Sequence, residues 1–155
     1  MNLRLAGLVA ALIAVLVLGI AYYGEFWMQF VPCELCLLER LPYKVVIVLG
    51  LLAMLFGGLP ARMLLMLAGL AMLVNIGISG LHVGVELHWW ASPLPECNGI
   101  LTPGAPLPVH PSVSCEQGVY LVPWLPLTMT QMDFIGSILF AALLFFTASR
   151  PRGHR

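Results

Sequence analysis

The chain has 155 residues, of which 61% are hydrophobic and only 9% are charged. Together with a mean hydropathy of +0.98, this composition excludes an ordinary soluble domain and predicts a single domain, residues 1–155, in a bilayer. The formal net charge is zero, so long-range attraction to nucleic acid or to acidic substrates is not indicated.

Four apolar segments predict an all-α membrane protein built as a bundle of four transmembrane helices. A helix needs about 17 to 25 apolar residues to cross a bilayer, and the segments lie at about residues 5–23, 43–59, 63–85 and 130–148. The first segment has a cleavable signal peptide as its alternative. Its apolar run is longer than the core of such a peptide, and no Ala-x-Ala pattern precedes Tyr22. We therefore expect it to be retained as a span.

The charged residues separate to the two sides of the predicted membrane. Five arginines fall on one side, and the positive-inside rule assigns that side and both termini to the cytoplasm. These residues are Arg4, Arg62, Arg150, Arg152 and Arg155. The opposite side, with loops at about 24–42 and 86–130, holds all seven acidic residues and all four cysteines. Disulfides persist on the non-cytoplasmic side, so thiol redox chemistry is the leading functional class.

The stretch after the first span concentrates the chemistry of the chain. Cys33 and Cys36 are separated by two residues, so they can close a small disulfide. If a helix starts after Pro32, both cysteines lie on one face, and Arg40 lies one turn beyond Cys36. A cation at that distance favours the reactive thiolate. Arg40 is therefore predicted to belong to the site, with Cys36 as the more activated sulfur.

Two other roles for this cysteine pair are weighed against redox catalysis. Cys-x-x-Cys also begins zinc sites, but a tetrahedral site needs two further ligands, and the other cysteines and His82, His88 and His110 are scattered along the chain. An inert structural disulfide at this spacing would close a loop too short to restrict the unfolded chain much. Redox catalysis is preferred, and no metal site is predicted.

The end of the third span carries polar residues with structural and functional interpretations. Asn75 is expected to face the bundle interior, where a packing hydrogen bond is favoured over a ligand contact. His82 and Glu86 are four residues apart, which suits a local pair. His88 stands before two tryptophans near the predicted membrane surface, so it is either a surface histidine or a functional one.

The long loop before the fourth span contains Cys97 and Cys115. Its prolines are Pro93, Pro95, Pro103, Pro106, Pro108 and Pro111. A disulfide between the two cysteines would stabilise the fold by roughly 3 kcal/mol in the chain-entropy picture, so a structural staple is one interpretation. The other is a relay, because an exposed Pro-rich loop is easily engaged by another protein. Four cysteines suffice to pass electrons between two pairs by thiol–disulfide exchange.

Over nearly its whole length the chain resembles the disulfide bond formation protein B family, DsbB. The most specific part is Cys33-x-x-Cys36 followed by Glu39 and Arg40, supported by four spans and a second cysteine pair before the last one. The resemblance implies a quinone-dependent thiol oxidase of the bacterial inner membrane that reoxidises a periplasmic, DsbA-like dithiol protein of the thioredoxin fold. The quinone would be ubiquinone or menaquinone from the respiratory pool in the lipid. In the family a histidine near the end of span three helps to bind the quinone, and His88 is the match.

The resemblance also implies a role for each cysteine. The donor thiol would attack Cys97 and release Cys115, which would then attack Cys33. Cys36 would be left as the thiolate that passes electrons to the quinone ring. Arg40 would stabilise that thiolate and the reduced quinone oxygen.

Two other functions are also compatible with the sequence. The first is a thiol–disulfide protein running in the reductive direction, similar to vitamin K epoxide reductase, although the early position of the Cys-x-x-Cys does not fit that family. The second is a non-enzymatic metal or scaffold protein in which Cys97–Cys115 is a permanent bridge.

Overall fold

The fold is all-α in the part of the chain that the computed structural model describes, residues 2–94, 97, 114–121 and 124–150. The helices are α1 (Leu3–Phe26), α2 (Glu34–Phe56), α3 (Gly58–Glu86) and α4 (Met129–Ser149). This confirms the all-α fold for those ranges, and the bundle of four membrane spans stays a prediction. Most of the predicted Pro-rich loop, residues 98–113, and the basic tail after residue 150 lie outside the described residues.

Three of the four helices are long and apolar enough to cross a membrane. The most apolar windows of α1, α3 and α4 have mean hydropathies of 2.6, 2.1 and 1.8. Many large apolar side chains on these helices face outward, including Leu16, Leu67 and Leu139. Such a surface is unfavourable in water and suits hydrocarbon, so the chain is a multi-pass membrane protein. The charged residues of α2 are Glu34, Glu39, Arg40 and Lys44, all in its first three turns.

Helix α2 begins at Glu34, directly after Pro32 and Cys33, which is the start that the helical spacing of the two cysteines assumes. Cys33 has extended backbone and is the N-cap, and its sulfur accepts a hydrogen bond from the amide of Cys36 at 3.3 Å. An N-cap residue satisfies one of the amide groups that have no acceptor at the start of a helix. The first cysteine therefore both starts the helix and lies one turn from the second.

Small residues let α1 and α2 approach to backbone contact. A Cβ built on Gly50 would lie 2.7 Å from the carbonyl oxygen of Gly7, and one built on Gly7 would lie 2.6 Å from that of Gly50. Small residues at helix interfaces permit this close packing inside membranes. The contact sets the spacing of the two helices that form one wall of the cavity described below.

Replacing Gly50 with alanine should destabilise the bundle. The new methyl group meets backbone and not a movable side chain, so we expect a loss of roughly 1 to 3 kcal/mol. Unfolding in detergent micelles, followed by tryptophan fluorescence, measures this loss. Gly19→Ala is the matched control, because a Cβ there has nothing within 4 Å. Equal stability of the two variants would contradict the proposed contact.

A buried polar network joins α2, α3 and α4. Asn75 is fully buried, and its Nδ2 donates to Ser137 Oγ at 2.7 Å and to Asp133 Oδ2 at 3.0 Å. The hydroxyl of Tyr43 donates to Asp133 Oδ1 at 2.7 Å. The prediction that Asn75 faces the interior and makes packing hydrogen bonds is confirmed. The network fixes the three helices next to the cysteine site, since Tyr43 and Asp133 also line its cavity.

Candidate active site

The Cys33–Cys36 pair lies at the N-terminus of α2 with its sulfurs 2.7 Å apart. Cys33 is buried and Cys36 is partly exposed. The hydrogen bond with the Cys36 side chain lowers the pKa of the Cys33 thiol, while burial acts in the opposite direction. A helix N-terminus also favours a thiolate. The amide and the side chain of Cys36 both lie within hydrogen-bond distance of the Cys33 sulfur, whereas the spacing of Arg40 predicts Cys36 as the more activated cysteine.

Arg40 reaches the site with a carboxylate already bound to it. Its Nη1 lies 2.6 Å from Oε2 of Glu25, and its guanidinium stacks 4.8 Å from the ring centre of Tyr22. Both partners come from the end of α1. The sequence predicts that Arg40 lies near the sulfurs, but it does not predict the ion pair with Glu25. This ion pair links α2 to the end of α1.

His82 is the imidazole that contacts the cysteine pair. Its Nε2 lies 3.6 Å from the sulfur of Cys33, and its Nδ1 lies 2.8 Å from Oε1 of Glu39. Both His82 and Glu39 are buried. The observed hydrogen-bond partner of His82 is thus Glu39 of α2, whereas spacing along the chain suggests Glu86 of α3. A histidine inside a predicted span is by itself a signal of function, and it could have directed attention to His82.

His88 lies on the surface. Its side chain is 69% exposed, and its Nε2 is 3.9 Å from Oε2 of Glu116. Its backbone is in the left-handed region, with φ of 58°. It is not among the described residues that line the cavity next to the cysteines. Its predicted role in quinone binding stays a prediction.

Cys97 and Cys115 form a disulfide, and each cysteine is only 1% exposed. They belong to one buried cluster with Cys33, Leu35 and Val85. The fold therefore brings the two cysteine pairs together, although they are far apart in sequence. From the sequence, the second pair is expected in an exposed loop, but in the structure it is buried in the same cluster as Cys33.

A cavity of about 390 Å³ adjoins the cysteine pair. Its wall includes Cys33, Cys36, Arg40 and His82, together with apolar side chains of α1 and α4. Pockets of this size and apolar character, with a few polar groups, are typical of sites for small organic molecules. The arrangement can hold a small apolar molecule with hydrogen-bond acceptors beside two sulfurs.

Comparison with known proteins agrees with the resemblance seen in the sequence. Residues 3–147 match the family model of "Disulfide bond formation protein DsbB". A protein named Disulfide bond formation protein B from Pasteurella multocida (strain Pm70) is 26% identical over 144 residues, which cover 82% of this chain and 79% of that protein. A protein of the same name from Herminiimonas arsenicoxydans is 25% identical over 146 residues, 92% of each chain. No solved structure matches.

Proposed function

This chain belongs to the disulfide bond formation protein DsbB family, and from that premise we propose that it is the quinone-dependent oxidase of a periplasmic thioredoxin-fold dithiol protein in the bacterial inner membrane. Family membership makes it a disulfide-forming oxidoreductase of the membrane, while the donor, the acceptor and the orientation belong to the proposal. The observation that supports it most is that Cys97 and Cys115 are buried in one cluster with Cys33, which with Cys36 lines an apolar cavity.

The first half of the proposed reaction moves a disulfide between the two pairs. A donor thiolate attacks Cys97, breaks the Cys97–Cys115 bond and releases Cys115 as a thiolate. Cys115 attacks Cys33 of an oxidised Cys33–Cys36 pair, and Cys36 leaves as a thiolate. Each step needs only a thiolate in reach of a disulfide sulfur, and burial of both pairs in one cluster supports such reach.

The second half returns the loop pair to its oxidised state. The donor's other thiol attacks its own partner sulfur and releases Cys97. Cys97 attacks Cys115, restores the Cys97–Cys115 disulfide and frees Cys33. One donor dithiol has then become a disulfide, and two electrons and two protons reside on Cys33 and Cys36. Because Cys97 is only 1% exposed, attack by the donor requires Cys97 to become accessible.

The cavity residues fit a quinone. When bound, a quinone accepts two electrons and two protons from the cysteine pair. Its ring matches the apolar walls from α1 and α4, and its oxygens require donors, of which Arg40 lies in the cavity wall. Arg40 would hold one oxygen, and its bond to Glu25 fixes the guanidinium in place. The quinone would be ubiquinone or menaquinone dissolved in the lipid.

We assign proton transfer from the cysteine pair to His82. In the tautomer protonated at Nδ1, the Nδ1–H group of His82 donates a hydrogen bond to Glu39. The lone pair of Nε2 then faces Cys33. The ring can then accept the thiol proton of Cys33 when the Cys33–Cys36 disulfide re-forms, as a general base does. Glu39 acts as a positioning residue, since its carboxylate touches the imidazole.

Anaerobic mixing of the purified protein with a quinone and a reduced thioredoxin-fold donor tests the function. We expect the quinone absorbance to fall by one equivalent for each donor disulfide formed, and no change without the donor. Starting instead from donor disulfide and reduced quinone tests the reductive direction. Persistence of both quinone and donor thiols over many minutes would refute the oxidase.

Burial of the Cys97–Cys115 disulfide supports one alternative, in which the bond is a permanent structural staple that takes no part in electron transfer. Thiol alkylation with and without reduced donor separates the two functions. In an oxidase, the number of alkylated cysteines rises after donor is added and falls again when quinone is supplied. In a staple, the count stays constant.

A further inference from the structure

Cys33, Cys36 and His82 place three metal-ligating atoms within 4.8 Å of one another. We propose that, when Cys33 and Cys36 are reduced, these residues bind Zn²⁺ through two thiolates and the Nε2 of the imidazole. The sequence gives only a half-site, and the packing of α3 against α2 supplies the third ligand. Binding requires neither donor nor quinone. Its consequence, that Zn²⁺ blocks re-formation of the Cys33–Cys36 disulfide, rests on the proposed function.

The distances fit a tetrahedral ion after one small adjustment. Zinc–sulfur bonds of about 2.3 Å and zinc–nitrogen bonds of about 2.0–2.1 Å place sulfur and nitrogen ligands about 3.6 Å apart and two sulfurs about 3.8 Å apart. Cys33 Sγ and His82 Nε2 are 3.6 Å apart. The sulfurs, at 2.7 Å, must separate by about 1 Å on that geometry. Rotation of the partly exposed Cys36 side chain provides this movement.

The outer contacts of His82 are those of a metal ligand. Histidines that bind metals almost always donate their other ring N–H to a carboxylate, a carbonyl or water, which fixes the ring and raises its basicity. Here Nδ1 lies 2.8 Å from Oε1 of Glu39, and both residues are buried. Nε2 is therefore turned toward the sulfurs before any ion arrives.

Charge also favours a divalent cation. Two thiolates and the Glu39 carboxylate would bring three negative charges into a largely buried cluster, which is unfavourable without compensation. Arg40 is bound to Glu25 at 2.6 Å, so its charge is already shared. Zinc prefers such sulfur and nitrogen ligands, and three protein ligands leave a fourth position. Cys33, Cys36 and His82 all line the cavity, so a water molecule in the cavity can be the fourth ligand.

Cobalt(II) is the probe for this site, because tetrahedral Co²⁺ bound by thiolates absorbs visible light. The titration uses the full chain with Cys97→Ser and Cys115→Ser, so that only Cys33 and Cys36 can be reduced, in detergent without donor or quinone. We expect one Co²⁺ per reduced chain, displaced by Zn²⁺, and none in the oxidised chain. Glu39→Gln should lower the affinity about 10- to 100-fold, and His82→Ala, which removes a ligand, should lower it by at least as much. His88→Ala, at an exposed histidine outside the cavity, should leave the affinity unchanged.

The proposal is overturned by equal Co²⁺ binding in oxidised and reduced chains, by no binding in the reduced chain, or by an unchanged affinity in His82→Ala. If the double serine variant does not fold, fully reduced wild type and its Cys36→Ser variant replace it. Cys36→Ser must then lose part of the thiolate-to-cobalt absorption, and an unchanged spectrum would refute the site. Because donor and quinone are absent, a chain that fails as an oxidase can still bind cobalt, and the two failures are distinguishable.

Discussion

Cys36→Ser should abolish quinone reduction while leaving the protein in the membrane with its Cys97–Cys115 disulfide formed. Without the Cys36 sulfur, Cys33 has no partner 2.7 Å away, so no disulfide exists at the cavity to accept electrons from Cys115. Serine preserves the size and the position in the first turn of α2, so the bundle should remain folded. We expect turnover to fall by at least about 1,000-fold, since a covalent step is lost.

Alkylation of the thiols locates the block in this variant. Before donor is added, Cys33 should be the one reactive cysteine, because Cys97 and Cys115 are joined. After excess reduced donor, three cysteines should react and should stay reactive when quinone is added. Wild type treated in parallel should return to its oxidised state. Normal turnover of Cys36→Ser would show that Cys36 does not pass electrons to the quinone.

His82→Gln should slow reoxidation of the cysteine pair by quinone about 100-fold, with little change in the quinone concentration needed for half-maximal rate. Loss of a general base typically lowers the rate 10²- to 10⁴-fold. Glutamine is similar in size to histidine and can still donate a hydrogen bond to Glu39. The loss should shrink as pH rises, because Cys33 then gives up its proton to solvent without help. A single-turnover measurement from the reduced enzyme, across pH, provides both the rate and its pH profile.

The same substitution at His88 distinguishes the two imidazoles. The resemblance assigns quinone binding to His88, which would raise the quinone concentration required and leave the pH profile intact. The geometry assigns proton transfer to His82, which contacts Cys33 and lines the cavity. A pH-independent effect of His82→Gln would show that the imidazole only packs there.

Glu39→Gln should slow reoxidation about 10-fold and change the pH profile in the same direction as His82→Gln, because an amide replaces the carboxylate that orients the ring.

The sequence alone determines the features that depend on local composition and spacing. A hydrophobic share of 61% already requires a membrane environment, because so much apolar surface cannot be solvated. The spacing of Cys33 and Cys36 puts both sulfurs within one turn if a helix starts after Pro32, and α2 does start there. The family resemblance, carried by the same stretch, also follows from local residues.

The tertiary structure alone decides which side chains meet across helices. Glu39 is 43 positions from His82, and Arg40 is 15 from Glu25, so no periodicity within one helix relates them. Spacing on α3 suggests Glu86 as the partner of His82, but the packing of α3 on α2 supplies Glu39 instead. The burial of Cys97–Cys115 beside Cys33 arises in the same way. Contacts between segments depend on which helix faces come together, and that is settled by the packing of the whole bundle.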